Sequence, residues 1–347
     1  LYTDPHLGVN RTQNTTPASR RLLRSCISKT VHDILDIPGE KVCLGDLFDT
    51  YSNSEDIIRD GGNILSRTSL TIAGNHDIVA DADKVGSLQL LNYNYLGSEY
   101  VDVVMGRFNE VVVDTSIRDG HLMVAVPHHT TQDLFEQALD KANQSAADYD
   151  YMDHTLKILL LHCNYNLGFA TEETSLNLDY DTAKGLLDTF DYVVVGHEHN
   201  QSEHFDGRLI VLGNVHPTGF ADLSDKRILK IEPDGSMEYQ TVWSASRGVA
   251  EYLCDDIPEE TGAQFVTVGG ELEPGSLAQV ARGVRKLWKN SPGLIALRLT
   301  YETSLEVGLK RTETSSLQTL PDKIRHELGN RPDLKALWEE FTDGSKS

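Results

Sequence analysis

At 347 residues the chain is long enough for one sizeable catalytic domain and a smaller appendage. With 39% hydrophobic and 24% charged residues, and no apolar run of the roughly 18 residues that a membrane helix needs, its composition excludes a spanning helix and fits a globular protein. A formal net charge of −22 excludes a surface that attracts nucleic acid everywhere, and the wide spacing of Cys26, Cys43, Cys163 and Cys254 fits neither a disulfide framework nor a zinc knuckle, so a reducing cytoplasm is expected.

The chain opens at Leu1 without a methionine, and Leu-Tyr-Thr reads as the end of a strand; residues are expected upstream, which leaves a leader peptide open. Asp4-Pro5-His6 follows at once. A helix is predicted over 18–35, where Leu23, Ile27, Val31 and Ile34 make an apolar stripe. A strand over 41–44 runs into Gly45-Asp46-Leu47-Phe48-Asp49, and after a helix over 55–66 a second strand, 70–73, runs into Gly74-Asn75-His76-Asp77. Helices over 84–94 and 131–143 flank a strand over 121–126 that ends at His128-His129, a pair expected in a solvated loop. The strand over 157–161 ends on His162. After a helix over 182–188, the strand over 192–195 ends on Gly196-His197-Glu198-His199. Strands over 208–212 and 227–231 close this half, with Pro233-Asp234-Gly235 as a turn between strands. His204 reads as a surface residue.

Five short motifs therefore stand at five strand ends, where a rigid sheet fixes the backbone and a loop frees the side chain. Singly each has a bland reading: Gly-Asn-His-Asp is compatible with an ordinary turn, and an isolated His162 with a core histidine. Together they make a metal site. The set Asp-x-His, Gly-Asp-x-x-Asp, Gly-Asn-His-Asp, His and Gly-His-x-His resembles the signature of calcineurin-like metallophosphoesterases, in motif order over about residues 1–220. The resemblance implies a double β-sandwich flanked by helices, within an α/β class. It also implies two divalent metal ions, one held by Asp4, His6, Asp46 and His199, the other by Asp46, Asn75, His162 and His197. Manganese is the expected metal, with magnesium, iron or zinc as alternatives. His76 matches the family histidine that protonates the leaving oxygen, and Asp77 is expected to orient His76 or a ligand.

Within the family, Leu7-Gly8 after His6, and the segment from Gly213 to Phe220 followed by Asp222, resemble SbcD-type DNA repair and recombination nuclease subunits, including those of bacteriophages. Asp49 stands where some of those relatives carry His, which leaves the balance of exonuclease and endonuclease activity open. His216 lies in the segment expected to close the site.

Beyond about residue 245 a β-α-β unit is predicted: a strand over 265–268, a helix over 276–290 and a strand over 294–301. The expected organisation is a catalytic domain over 1–245, a small α+β capping and DNA-contacting domain over 246–314 and a helical tail over 315–347. Arg282, Arg285, Lys286 and Lys289 line one side of the helix and are expected to contact DNA phosphates. A second basic island, with no acidic residue from Pro5 to His32, holds Arg11, Arg20, Arg21, Arg24 and Lys29. Two apolar stripes in the tail, separated by Pro332, are expected to dock onto an SMC-like ATPase subunit of SbcC type, in a homodimeric complex without membrane contact. The expected activity is a two-metal DNA exo/endonuclease. The alternative is a small-molecule or nucleotide phosphodiesterase on the same scaffold, which the acidity of the chain favours.

Overall fold

The computed structural model describes residues 1–10, 14–79, 84–95, 101–106, 109–149, 156–167, 176–272 and 276–303. Two sheets face each other. The smaller is parallel, with Val42–Cys43, Leu70–Ile72 and Asp102–Val104 in that order, and Tyr2 bridges alongside Cys43. The larger has six strands in the order Ser202–His204, Leu209–Val211, Tyr192–Gly196, Lys157–His162, His121–Val126 and Asp114–Arg118; its inner four are parallel and its two edges antiparallel.

The near-continuous apolar runs at 121–126, 157–162 and 192–196 are what a strand buried on both faces requires. In the strand Lys157–His162, Ile158 and Leu160 point into the core between the sheets, against Val42, Leu44 and Ile72. Leu159 and Leu161 point the other way, under the helices Gln132–Asp148 and Tyr180–Leu186. The helix Pro17–Leu35 covers the outer face of the smaller sheet through Leu23, Ile27, Val31 and Ile34; Thr16 and Ser19 close its N-terminus in a capping box, with Pro17 in the first turn. Replacing the fully buried Leu160 by Ala should cost about 2–5 kcal/mol. Urea titration should read this as a lower midpoint with an unchanged slope; an unmoved midpoint would mean that the two sheets do not share this core.

The boundary expected at residue 245 is not a break in packing. A third sheet, Val249–Leu253, Phe265–Leu272 and Ala296–Thr303, is parallel throughout. One of its faces supplies Phe265 and Ala296 to the core beneath the helix Pro17–Leu35. Its other face carries Val266, Val268 and Leu297, covered by Val280 and Leu287 of the helix Leu277–Asn290. Residues 1–303 thus form one compact unit. The strand Val249–Leu253 was not expected. Arg282, Arg285, Lys286 and Lys289 are all exposed on that helix, on the side of the sheet away from the catalytic body, and Lys286 pairs with Glu259. In the other basic island, Arg24 donates to the Val9 carbonyl and Lys29 pairs with Asp33. Arg11 and the tail over 315–347, with its expected ATPase docking, lie outside the described residues. All four cysteines are free. Among the described residues no helix is long and apolar enough to cross a membrane.

Candidate metal centre

The C-terminal ends of the parallel strands of both facing sheets open on one edge of the sandwich, and the five motifs meet there. Asp46 and Asn75 follow strands of the smaller sheet; His162, His197 and His199 come from the larger. Asp4, His6, Asp46 and His197 all adopt positive φ, at 52°, 49°, 49° and 92°. Such backbone is uncommon outside glycine and is held only where the surroundings over-determine it. Close approach also fixes the glycine before Asn75. A Cβ on Gly74 would overlap the Asp46 carboxylate and come within 2.7 Å of His162 Nε2.

Hydrogen bonds around the site decide which atoms face inward. His162 Nδ1 donates to the Leu44 carbonyl at 2.7 Å, so Nε2 is the nitrogen that faces Asp46 Oδ1 at 3.4 Å and Asn75 Oδ1 at 3.2 Å. His199 Nδ1 lies 3.3 Å from Asp222 Oδ2, and His6 Nδ1 lies 3.4 Å from Asp49 Oδ1. Both carboxylates call for the proton on Nδ1. The Nε2 lone pairs of His6 and His199 then meet at 2.9 Å, an arrangement that repels unless a cation lies between them. Asp4 Oδ1 is buried with no hydrogen-bond partner, while its Oδ2 accepts from Thr3 Oγ1 at 2.5 Å and from the His197 amide at 2.9 Å. Asn75 Oδ1 also receives His197 Nδ1 at 2.9 Å. Three sets of donor atoms lie within 4.8 Å of one another: Asp4, His6 and His199; His6, Asp46 and His76; Asp46, His162 and His197. The nitrogen and oxygen donors fit two hard or borderline divalent ions, and Asp46, shared between two sets, fits the bridge.

The electrostatics agree. Burial alone would raise Asp46, but the His162 charge and hydrogen bond, with His6 and His76, hold it well below the carboxylate range. Burial works against charge on His162, yet Asp46 and Asp4 lift the ring to about 9. The cluster is a trap for positive charge.

His76 is half-buried; its amide donates to Asp46 Oδ1 at 2.9 Å and its Nδ1 to the Asp49 carbonyl at 2.6 Å. With Nδ1 engaged, Nε2 is the nitrogen free to exchange a proton. Asp77 does not touch the His76 ring. Its fully buried carboxylate accepts from the amides of Gly74, Leu47 and Phe48 at 3.0, 3.2 and 3.0 Å, and so ties the two ligand-bearing loops together. Burial and then the neighbouring Asp46 charge push it up to about 7.

Several residues are placed differently from their expected roles. His128 and His129 are buried, not solvated: the His128 amide donates to Ala73, and its ring lies 6.2 Å from that of His162, while His129 bonds Pro127 and Val112. His204 is half-buried, with its ring 4.5 Å from that of Tyr165. His216 is buried and donates to Pro217, and burial lowers it to about 4. Asp222 gains a defined part. It accepts from Asn214 Nδ2, from the Thr218 and Gly219 amides and from His199 Nδ1. Buried Lys226 donates to the His199 carbonyl at 2.9 Å.

A family model for calcineurin-like phosphoesterases matches residues 2–201. The chain belongs to that family. No curated protein matches this phosphoesterase. Among solved structures it is similar to a putative 5'-nucleotidase from Staphylococcus aureus, at 12% identity and TM-score 0.40 over 69% of the phosphoesterase and 52% of that chain. It is similar to a purple acid phosphatase from yellow lupin, at 16% and 0.38 over 70% and 50%, and to the NAD nucleotidase of Haemophilus influenzae, at 14% and 0.33 over 71% and 50%. The chain spans about half the length of each.

Proposed function

We propose that this phosphoesterase is a two-metal phosphodiesterase acting on nucleotide-type diesters. The observation that carries the reading is the pairing of a complete ligand set with a histidine, His76, whose Nε2 stands ready beside it. When bound, a pair of divalent ions supplies Lewis-acid polarisation of the phosphate and makes water acidic enough to attack at neutral pH. Asp4, His6, Asp46 and His199 would hold one ion, and Asp46, Asn75, His162 and His197 the other. The protein's own part is to keep Asp46 ionised, to keep the imidazole lone pairs aimed inward through Leu44, Asp49 and Asp222, and to deliver a proton from His76 Nε2 to the departing ester oxygen.

Two features favour a nucleotide-sized substrate over duplex DNA. The net charge of −22 opposes a polyanion at long range. The four basic residues of the helix Leu277–Asn290 stand on the far side of their sheet from the catalytic body. A second reading, a manganese-dependent DNA exo/endonuclease working with an SMC-like ATPase, rests on the Asp-x-His-Leu-Gly form and on the segment from Gly213 to Phe220.

Purified protein with manganese, bis(4-nitrophenyl) phosphate, cyclic nucleotides and labelled single- and double-stranded DNA separates the two. The proposed reading expects turnover of the small diesters at a higher kcat/KM than duplex DNA, unchanged when Arg282, Arg285, Lys286 and Lys289 are all replaced by Gln. The nuclease reading expects degradation of DNA, with the salt dependence of binding flattened by a slope of roughly 3–4 in the quadruple variant. Absence of hydrolysis on every substrate would overturn both.

A further inference from the structure

A cavity of about 640 Å³ opens directly beside the metal ligands and has no part in the chemistry described so far. His199 and Asp222 form its inner wall; Asn14, Asn200, Phe220 and Arg298 line the rest. The small third sheet supplies Arg298 from the strand Ala296–Thr303. Register puts this residue opposite Thr267, on the face that also carries Phe265 and Ala296 towards the catalytic body.

Arg298 is held in place from two sides. Its Nε donates to Thr267 Oγ1 at 3.0 Å, and its guanidinium carbon sits 4.7 Å from the centre of the Phe220 ring. Phe220 is itself braced edge-on by Phe265, with centroids 5.8 Å apart. A guanidinium stacked on an aromatic face loses little further freedom when it forms hydrogen bonds. Four arginines elsewhere are engaged: Arg67 and Arg118 pair with carboxylates, while Arg24 and Arg208 donate to backbone carbonyls. Arg298 is half-buried, and among the described residues no carboxylate pairs with it. A chain of net charge −22 has carboxylates to spare, so an unpaired guanidinium beside a cavity shared with metal ligands points to an anion brought by the substrate.

We propose that Arg298, stacked on Phe220, is a second anion subsite that binds a phosphate neighbouring the scissile one. This rests on the phosphodiesterase reading, because the subsite has meaning only when the metal centre holds a phosphoester. The preferred substrate carries a second phosphate one sugar away from the scissile diester, as in a 5′-phosphorylated dinucleotide or two successive phosphates of a strand, and a nucleoside bisphosphate presents the same spacing to binding without a diester. A guanidinium offers paired N–H donors to phosphate oxygens, which a lysine cannot reproduce.

Calorimetry on the full chain with manganese tests the subsite by binding, independently of turnover. The probes are thymidine 3′,5′-bisphosphate and thymidine 5′-monophosphate, with a short single-stranded oligothymidylate to ask whether a strand uses the same subsite. The wild type should bind the bisphosphate about 10- to 100-fold more tightly than the monophosphate, the range expected for hydrogen bonds to a charged group. Arg298→Gln should remove that preference while leaving the monophosphate affinity in place, and Arg298→Lys should retain part of it. Manganese content of each variant checks that the metal centre is intact. No preference in the wild type would overturn the proposal, as would equal weakening of both nucleotides, which would mark a base platform, or loss of manganese from both variants, which would mark a structural role. Failure to hydrolyse any diester would count against the phosphodiesterase reading and leave this binding difference readable.

Discussion

Replacing His76 by Ala should lower kcat by about 100- to 10,000-fold while both metal ions stay bound. Replacing Asp46 by Ala should abolish hydrolysis by a different route, through loss of metal. The distinction follows from what each side chain touches. Asp46 takes part in two of the three donor sets and is the acidic group nearest His162, so its removal takes a ligand from both ions at once. His76 spends Nδ1 on the Asp49 carbonyl, and on the proposed reading Nε2 would serve the substrate. It also lies within ligand reach of His6 and Asp46, which makes metal content the informative measurement. Mass spectrometry of the purified variants, read beside their rates, decides the matter. If the His76 variant loses as much manganese as the Asp46 variant, His76 is a ligand and the proton-donor assignment is wrong.

The second large effect belongs to a residue that holds no metal. Asp222→Ala should weaken manganese binding by about 10- to 100-fold, as loss of a carboxylate behind a ligating histidine does elsewhere. The carboxylate fixes the proton of His199 on Nδ1 and thereby aims Nε2 at the site; it also gathers the Thr218 and Gly219 amides and Asn214. Burial would raise its pKa, but His199, the Thr218 amide, Lys226 and Asn214 hold it well below the carboxylate range, so it is ionised whenever the ligands are neutral enough to bind metal. Activity of the Asp222 variant should recover substantially at high manganese, since the seven ligands remain. Manganese titrations superimposing on those of the wild type would show that His199 is oriented without it.

The contrast between those residues explains what a sequence reveals. Ligand motifs are legible because metal coordination demands particular atoms at strand ends, and the strands are legible because two-sided burial leaves apolar runs such as Ile158 to Leu161. Asp222 is harder to read. Its role depends on a turn that folds Thr218, Gly219 and Asn214 around one carboxylate, and no periodicity encodes that. Asp77 is legible only in part: adjacency to His76 leaves open whether it orients that ring or a ligand, and its carboxylate turns towards the backbone of Leu47, Phe48 and Gly74, in the loops that carry Asp46 and Asn75. The strand Val249–Leu253 escapes because all five of its residues are half-buried or exposed, and its apolar groups, interrupted by Glu251, show no alternation to mark a face. The amphipathic helix Leu277–Asn290 is evident from its stripe, but which side of a sheet it covers is set by Phe265 and Ala296 packing the opposite face into the main core.

The way the ligands are shared between the two facing sheets has a consequence for the life of the molecule as well as for its chemistry. Each ion would take side chains from both layers: Asp4, His6 and Asp46 with His199 in one case, Asp46 and Asn75 with His162 and His197 in the other. An ion so placed binds only the closed sandwich, and a ligand that binds only the folded form stabilises it by about 2.7 kcal/mol at a hundredfold excess over its dissociation constant. Metal supply then governs how much enzyme survives as well as how fast it works. In a metal-starved cell the strands would part more often at this edge, exposing the apolar layer between them to proteases and to other chains, and the population of the protein would track the free metal around it.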